Sequence, residues 1–226
     1  MKKMLNIAHR GFTKTFPDNS LKAFEAAIQI PVDAIECDIH ETADHQFVVY
    51  HDYELSGKTI NKLSLTEVRT VKLRDRYEIP TLEETLDLCS GKVILMLEIK
   101  QLESLERFAK IVVAQVKPHD VIITSFNRDI VVNLSHLLPE IERGILTAFE
   151  VNEPVATVEA VRANALIARC PFVTEKLVEE VHASNFAVYV WGCPTVEDIR
   201  RTLKLNIEGM ISDFPDLVAE ELSKQE

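Results

Sequence analysis

Short apolar runs alternate along the chain with longer stretches in which apolar residues recur every three to four positions. The first run is Leu5 to Ala8, and a helix pattern follows from Ser20 to Ile30 with Leu21, Phe24, Ala27 and Ile28 on one face. Asn19 or Ser20 can cap its first turn. Strands are predicted over Ala34–Ile39 and Phe47–His51, joined by a short polar turn at 43–46 that suits a hairpin. Residues 53–80 are polar and weakly periodic, with one short helix at Leu65–Val71. Regular structure restarts at Ile79-Pro80-Thr81, where Thr81-Leu82-Glu83-Glu84 reads as a capping box. Strands are then predicted over Val93–Ile99, Val121–Ser125, Arg143–Thr147, Ala165–Ala168, Ala187–Trp191 and Ile207–Ile211. The intervening helices are predicted over Leu102–Val116, Arg128–Leu138, Pro154–Ala163, Glu175–Ser184, Val196–Leu203 and Pro215–Leu222.

With Leu5–Ala8 and Ala34–Ile39 this makes eight strands in β-α alternation, and Phe47–His51 is an extra one. Such alternation requires parallel strands with crossover helices. Eight repeats with no Pro/Gly/Ser-rich linker favour a closed (β/α)8 TIM barrel over an open doubly wound sheet. The length of 226 residues is near the lower end for such a barrel, which commonly takes roughly 250. No G-x-G-x-x-G or P-loop follows any strand.

Charge then narrows the class. Asp and Glu number 36 against 25 Lys and Arg, a formal charge of −11, which is the wrong sign for a nucleic-acid binder or a basic membrane-surface module. A hydrophobic share of 46% excludes disorder as the main description. No run approaches the ~18 apolar residues of a membrane span. The start, MKKMLNIAHR, is broken by Asn6, His9 and Arg10 and is no signal-peptide core, so a cytoplasmic protein is expected. Cys37, Cys89, Cys170 and Cys193 show no C-x-x-C spacing and read as reduced, mostly buried thiols.

Parallel barrel strands should be near-continuous apolar runs, so the polar residues at their C-terminal ends are informative. In Ala34-Ile35-Glu36-Cys37-Asp38-Ile39, the period of two puts Glu36 and Asp38 on one face and Ile35, Cys37 and Ile39 on the other. The apolar face packs under helices, so the carboxylates point into the barrel mouth. In Leu95-Met96-Leu97-Glu98-Ile99-Lys100 the same arithmetic joins Glu98 and Lys100 on the inner face. Three inward carboxylates repel one another and lose hydration, which a divalent cation resolves. Their hard oxygens suit Mg²⁺ or Ca²⁺. The competing reading is a salt-bridge network with Arg10 and Lys100. His9 and His51 lie at strand ends, each before a charged residue, and two imidazoles beside a metal can supply a general acid and a general base. His119, His136 and His182 read as structural, and His40 and His45 flank the hairpin.

Together these residues resemble the glycerophosphodiester phosphodiesterase family. His9-Arg10-Gly11 is similar to its H-R-G opening, and Phe16-Pro17-Asp18-Asn19-Ser20 to its P-E-N-T segment. Ile35-Glu36-Cys37-Asp38-Ile39-His40-Glu41-Thr42-Ala43-Asp44 resembles E-x-D-V-x-x-T-x-D, and Val48-Val49-Tyr50-His51-Asp52 resembles V-V-x-H-D. Ile79-Pro80-Thr81-Leu82-Glu83-Glu84, Glu98-Ile99-Lys100, Val190-Trp191 and Glu208-Gly209-Met210-Ile211-Ser212-Asp213-Phe214-Pro215-Asp216 continue the match to the end. The sequence departs at Asp18, where the family has Glu, at Ser20 for Thr, at Leu55–Thr59, and at Gly192-Cys193-Pro194 after Trp191.

The resemblance implies a single phosphodiesterase TIM-barrel domain over 1–226, with 53–80 as an insertion or loop over the mouth. It implies metal-dependent hydrolysis of glycerophosphodiesters, such as glycerophosphocholine or glycerophosphoethanolamine, to sn-glycerol 3-phosphate and an alcohol. Glu36, Asp38 and Glu98 would hold the metal, His9 and His51 would be the acid/base pair, and Arg10 and Lys100 would hold phosphate oxygens. Trp191 either lines the mouth or packs there. Either histidine can be the base, and the attacking oxygen is either the glycerol 2-hydroxyl or water. The alternatives are a lysophospholipase-D-like enzyme, which needs an apolar approach surface, and a non-catalytic barrel that binds a phosphorylated ligand. The expected partner is a small molecule, not a nucleic acid.

Overall fold

The computed structural model describes residues 4–224. Eight parallel strands form a closed barrel, each followed by a helix. They are β1 (Leu5–His9), β2 (Ala34–Glu41), β3 (Ile94–Gln101), β4 (Val121–Ser125), β5 (Glu142–Thr147), β6 (Ala165–Arg169), β7 (Ala187–Trp191) and β8 (Gly209–Ser212). β1 pairs with both β2 and β8, which closes the ring. The helices are α1 (Leu21–Ile28), α2 (Leu82–Cys89), α3 (Leu105–Gln115), α4 (Arg128–Leu137), α5 (Pro154–Glu159), α6 (Glu175–Ala183), α7 (Val196–Thr202) and α8 (Pro215–Ser223). Among the described residues no helix is long and apolar enough to cross a membrane.

The predicted alternation on the strands holds. Ile35, Cys37 and Ile39 of β2 join Leu95, Leu97 and Ile99 of β3 in the layer under the helices, together with Phe24, Leu86 and Phe108. The opposite face fills the barrel, where Ile7, Met96, Ile122, Ile167, Tyr189 and Ile211 interlock. Gly144 leaves the space that the Ile167 side chain occupies. Toward the C-terminal ends of β1, β2 and β3 this filling gives way to His9, Glu36, Asp38, Glu98 and Lys100. All four cysteines are buried and free.

Several boundaries differ from the sequence-based ones, each for a local reason. The helix after β5 stops at Glu159 rather than Ala163, because Arg162 turns left-handed (φ 54°) and starts the descent into β6. The last strand begins at Gly209, since Ile207 still belongs to the preceding turn, its N–H bonded to Leu205 O at 2.8 Å. Ser20, not Asn19, caps α1 by accepting from Ala23 N. Thr81 and Glu84 do form the reciprocal capping box that opens α2.

The extra strand, Phe47–Val49, runs antiparallel to β2 and ends two residues earlier than predicted. Val49 N donates to Pro80 O (2.8 Å) and Tyr50 N to Asp38 O (3.0 Å), after which the chain leaves the sheet. His51 is therefore free of the ladder. Residues 53–80 hold more structure than their polarity suggests: two-residue ribbons at 54–59 and 72–78, and a helix at Leu65–Thr70 opened by a Ser64–Glu67 capping box. Leu55, Ile60, Leu63, Val68 and Ile79 close over Val48 as a separate buried cluster.

Phe47 ties the hairpin to the main core by meeting Phe108 of α3 edge-on, with ring centroids 5.8 Å apart and both side chains fully buried. Phe47→Ala should cost about 3–5 kcal/mol in urea unfolding, the range for emptying such a site. A loss below ~1 kcal/mol would show that the site can collapse and that the hairpin is not anchored there.

Candidate active site

The mouth is organised by two backbone devices that converge on β2. Where β1 ends, Arg10 and Gly11 both adopt left-handed conformations (φ 56° and 87°). A Cβ on Gly11 would lie 2.7 Å from the Ala23 carbonyl carbon, so no other residue fits the turn. The turn lets Arg10 N donate to Glu36 O (2.9 Å) and Oε2 (3.2 Å) and brings its Nε to 3.1 Å from Asp38 Oδ2. Asn19 is the second device, also left-handed at φ 55°. Its side chain donates from Nδ2 to Asp38 Oδ2 (2.8 Å) and accepts from Asp38 N (3.2 Å). Two strained residues at one carboxylate mark a place whose geometry is held at a cost of about 1–3 kcal/mol each.

Register completes the cluster. His9 lies level with Glu36, and Asp38 level with Glu98. Glu36, Asp38 and Glu98 are 3%, 0% and 9% exposed, and each offers an oxygen within 4.8 Å of the others. Lys100 Nζ lies 2.8 Å from Glu98 and 3.4 Å from Asp38. Burial, then Asp38 and Glu98, push the Glu36 carboxyl well above the ordinary range. Burial, then Asp38, raise Glu98, against the pull of Lys100. Lys100 is itself raised: burial works against its charge, but Glu98 and Asp38 outweigh it.

Arg10 and Lys100 thus form part of the ion-pair network, but they leave it incomplete. Glu36 Oε1 and Asp38 Oδ1 are buried and accept no hydrogen bond, Asp38 Oδ1 having only the Lys100 ammonium at 3.4 Å. Buried, unsatisfied carboxylate oxygens are costly, and a hard cation is the group that satisfies several at once. The donor set fits Mg²⁺ or Ca²⁺.

Both predicted histidines line this pocket. His9 Nδ1 lies 2.5 Å from Asp213 Oδ1, and its Nε2 lies 3.8 Å from Glu36. That hydrogen bond, ahead of opposing burial, holds Asp213 below the usual carboxylate range. His51 Nδ1 lies 2.7 Å from Asp52 Oδ1. A carboxylate at Nδ1 fixes the ring and leaves Nε2 for chemistry. His40 lies beneath, fully buried, with Nε2 3.4 Å from the His51 carbonyl; burial pushes its pKa down to about 4, so it is neutral support. His119, His136 and His182 lie outside the pocket, against Asp120, Arg162 and Glu208.

The facing wall is apolar, with Phe126, Leu146, Trp191 and Ile211. Trp191 lines the mouth and is pinned there: its indole N–H donates to Thr147 O (3.1 Å), and Phe126 meets it edge-on at 5.9 Å. Asp18 pairs with Arg10 Nη1 at 3.5 Å. Sequence reasoning missed Asp213, Asp52 and Asn19 as supports. Asp213 stands one residue beyond the end of β8, so the rule that pointed to the other strand ends would have found it.

Comparison with known proteins fits this geometry. A sequence model described as the glycerophosphoryl diester phosphodiesterase family matches residues 9–217. A glycerophosphodiester phosphodiesterase of Bacillus altitudinis is 29% identical, covering 92% of this chain and 94% of its own. One from Caldanaerobacter subterraneus subsp. tengcongensis is 28% identical, covering 95% and 96%. Among solved structures, an Oleispira antarctica phosphodiesterase in complex with the product sn-glycerol-3-phosphate superimposes with a TM-score of 0.88 at 23% identity, covering 96% of both chains. The last likeness shows the shared fold.

The raised carboxyl of Glu36 has a stability consequence. Its folded state holds a proton more tightly than the unfolded chain, where Glu titrates near 4.3. Stability of chelator-treated protein should therefore fall as pH rises from about 4.3 through the folded value. Glu36→Gln should flatten that slope, leaving the part due to Glu98, and be more stable than wild type above the window, because a buried charge is relieved. Denaturant unfolding across pH 5–8 measures it, and a variant less stable than wild type throughout would contradict the repulsion.

Proposed function

The chain belongs to the glycerophosphoryl diester phosphodiesterase family, and from that premise we propose that it hydrolyses glycerophosphodiesters to sn-glycerol 3-phosphate and an alcohol, with a divalent cation held by Glu36, Asp38 and Glu98. The observation that carries this reading is the meeting of three buried carboxylates, two of them with unsatisfied oxygens, and two carboxylate-backed imidazoles in one pocket. The product bound to the Oleispira antarctica protein supports the same substrate class.

When bound, Mg²⁺ or Ca²⁺ polarises a phosphoryl oxygen and offsets charge. Arg10 and Lys100 turn their remaining N–H groups to the other phosphoryl oxygens. Counting the cation, the carboxylates and these two side chains, the site carries a net +1 toward a diester of −1, although the whole chain is acidic. One imidazole of the His9 and His51 pair takes the proton of the attacking oxygen, and the other gives a proton to the departing alcohol oxygen as its P–O bond breaks. Asp213 and Asp52 hold the two Nδ1–H groups so that each Nε2 faces the pocket. A binding barrel has no use for such a pair, which ranks the non-catalytic reading below this one.

One observation favours a second reading. Tyr53, Phe126, Phe149 and Phe214 are exposed large rings, and the last three lie one or two residues beyond the ends of β4, β5 and β8. Such a set of exposed rings suits an amphiphilic diester, as a lysophospholipase-D-like enzyme would take. A higher kcat/KM for lysophosphatidylcholine than for glycerophosphodiesters would move the assignment to it.

Release of glycerol 3-phosphate tests the main reading. Chelation should abolish turnover, and Mg²⁺ or Ca²⁺ should restore it; full activity after thorough chelation would remove the cation. His9→Ala and His51→Ala should each lose at least ~100-fold in kcat, the usual scale for a lost acid or base. Unchanged turnover in both would remove the imidazoles from the chemistry.

A further inference from the structure

The wall facing the carboxylates carries a cation that the chemistry above does not use. Arg169 ends β6 and is exposed, and its Cα is the register partner of Trp191 on β7. Its guanidinium carbon lies 5.5 Å from the centre of the Trp191 ring. The stem passes Gly192, where an added Cβ would already meet Arg169 Cγ at 3.6 Å. Among the described residues Arg169 forms no ion pair. The mouth carboxylates are engaged elsewhere: Asp38 and Glu98 with Lys100, Asp213 with His9, Asp52 with His51. Among the described residues Arg169 is therefore a positive charge with no carboxylate partner, stacked on the Trp191 ring in the pocket wall.

We propose that Arg169, stacked on Trp191, sets the charge of the alcohol group that the enzyme accepts, favouring anionic or uncharged polyol headgroups over quaternary ammonium ones. This rests on the phosphodiesterase reading and narrows it, placing glycerophosphocholine among the poorer substrates. A phosphate held beside Arg10 and Lys100 directs one of its substituents across the pocket toward Trp191. The face of an indole is the natural seat for a trimethylammonium group. Here a guanidinium already lies over that ring, so an incoming cation meets like charge and finds the seat shared. A carboxylate or a vicinal pair of hydroxyls instead meets a fork of N–H donors held in place by the stacking. Since Arg169 is exposed, the effect is one of selection among substrates rather than of rate on all of them.

The test compares kcat/KM for glycerophosphoserine, glycerophosphoglycerol and glycerophosphocholine, with saturating Mg²⁺ or Ca²⁺, in wild type, Arg169→Gln and Arg169→Lys. Wild type should prefer the serine ester over the choline ester by at least ~5-fold, the scale of one partly exposed charge contact. Arg169→Gln should shrink that ratio at least ~5-fold, mostly through KM, and Arg169→Lys, which keeps the charge, should keep most of it. A choline preference in wild type, or a ratio that Arg169→Gln leaves unchanged, would overturn the proposal while leaving the hydrolysis standing. No glycerol 3-phosphate from any of the three diesters would overturn the phosphodiesterase reading, and this inference with it.

Discussion

Mutual repulsion among three buried carboxylates is the constraint around which the barrel mouth is built. Glu36, Asp38 and Glu98 come from adjacent strands, so their closeness follows from backbone pairing and cannot be relaxed by swinging a side chain away. The strands themselves are secured by the apolar layer beneath the helices. Folding energy from that layer thus holds together a cluster that would otherwise disperse. Burial removes the water that would soften the repulsion, which is why Glu36 and Glu98 both titrate high.

Everything else near the rim answers that constraint. Lys100 and Arg10 supply opposite charge, and both are held there by the fold: Lys100 by its place two residues after Glu98 on the same face, Arg10 by a left-handed turn that only Gly11 can follow. Asn19 spends its whole amide on Asp38. Compensation is still partial, because two carboxylate oxygens, Glu36 Oε1 and Asp38 Oδ1, accept no hydrogen bond. That deficit is what a hard cation would relieve, and in the proposed reaction such a cation would convert an acidic mouth into one that attracts a phosphodiester. An overall charge of −11 and an anionic substrate are compatible for this reason.

The strand faces were legible in the sequence because alternation in a strand has a fixed period. Once Ile35, Cys37 and Ile39 are assigned to the helix side, Glu36 and Asp38 have one place to go. Closure of the barrel was legible from the count of β-α repeats. Less accessible was anything that depends on where a ladder stops or on which strand stands beside which. His51 leaves the sheet because Val49 and Tyr50 bond to Pro80 and Asp38, partners distant in sequence. Asn19 sits where a helix cap is expected, and local reasoning assigned it to the helix rather than to Asp38. The 53–80 segment hid its buried cluster because ribbons of two residues are too short to show a period. The pairing of Arg169 with Trp191 needed the register of β6 against β7.

The claim on which the rest depends is that the three carboxylates form one cation site. Calorimetric titration of Mg²⁺ or Ca²⁺ into chelator-stripped protein measures it most directly. One cation should bind per chain, and Asp38→Asn, which removes the carboxylate shared by Arg10, Asn19 and Lys100, should abolish the binding. Absence of binding at millimolar cation in the wild type, or a stoichiometry and affinity unchanged in Asp38→Asn, would contradict it.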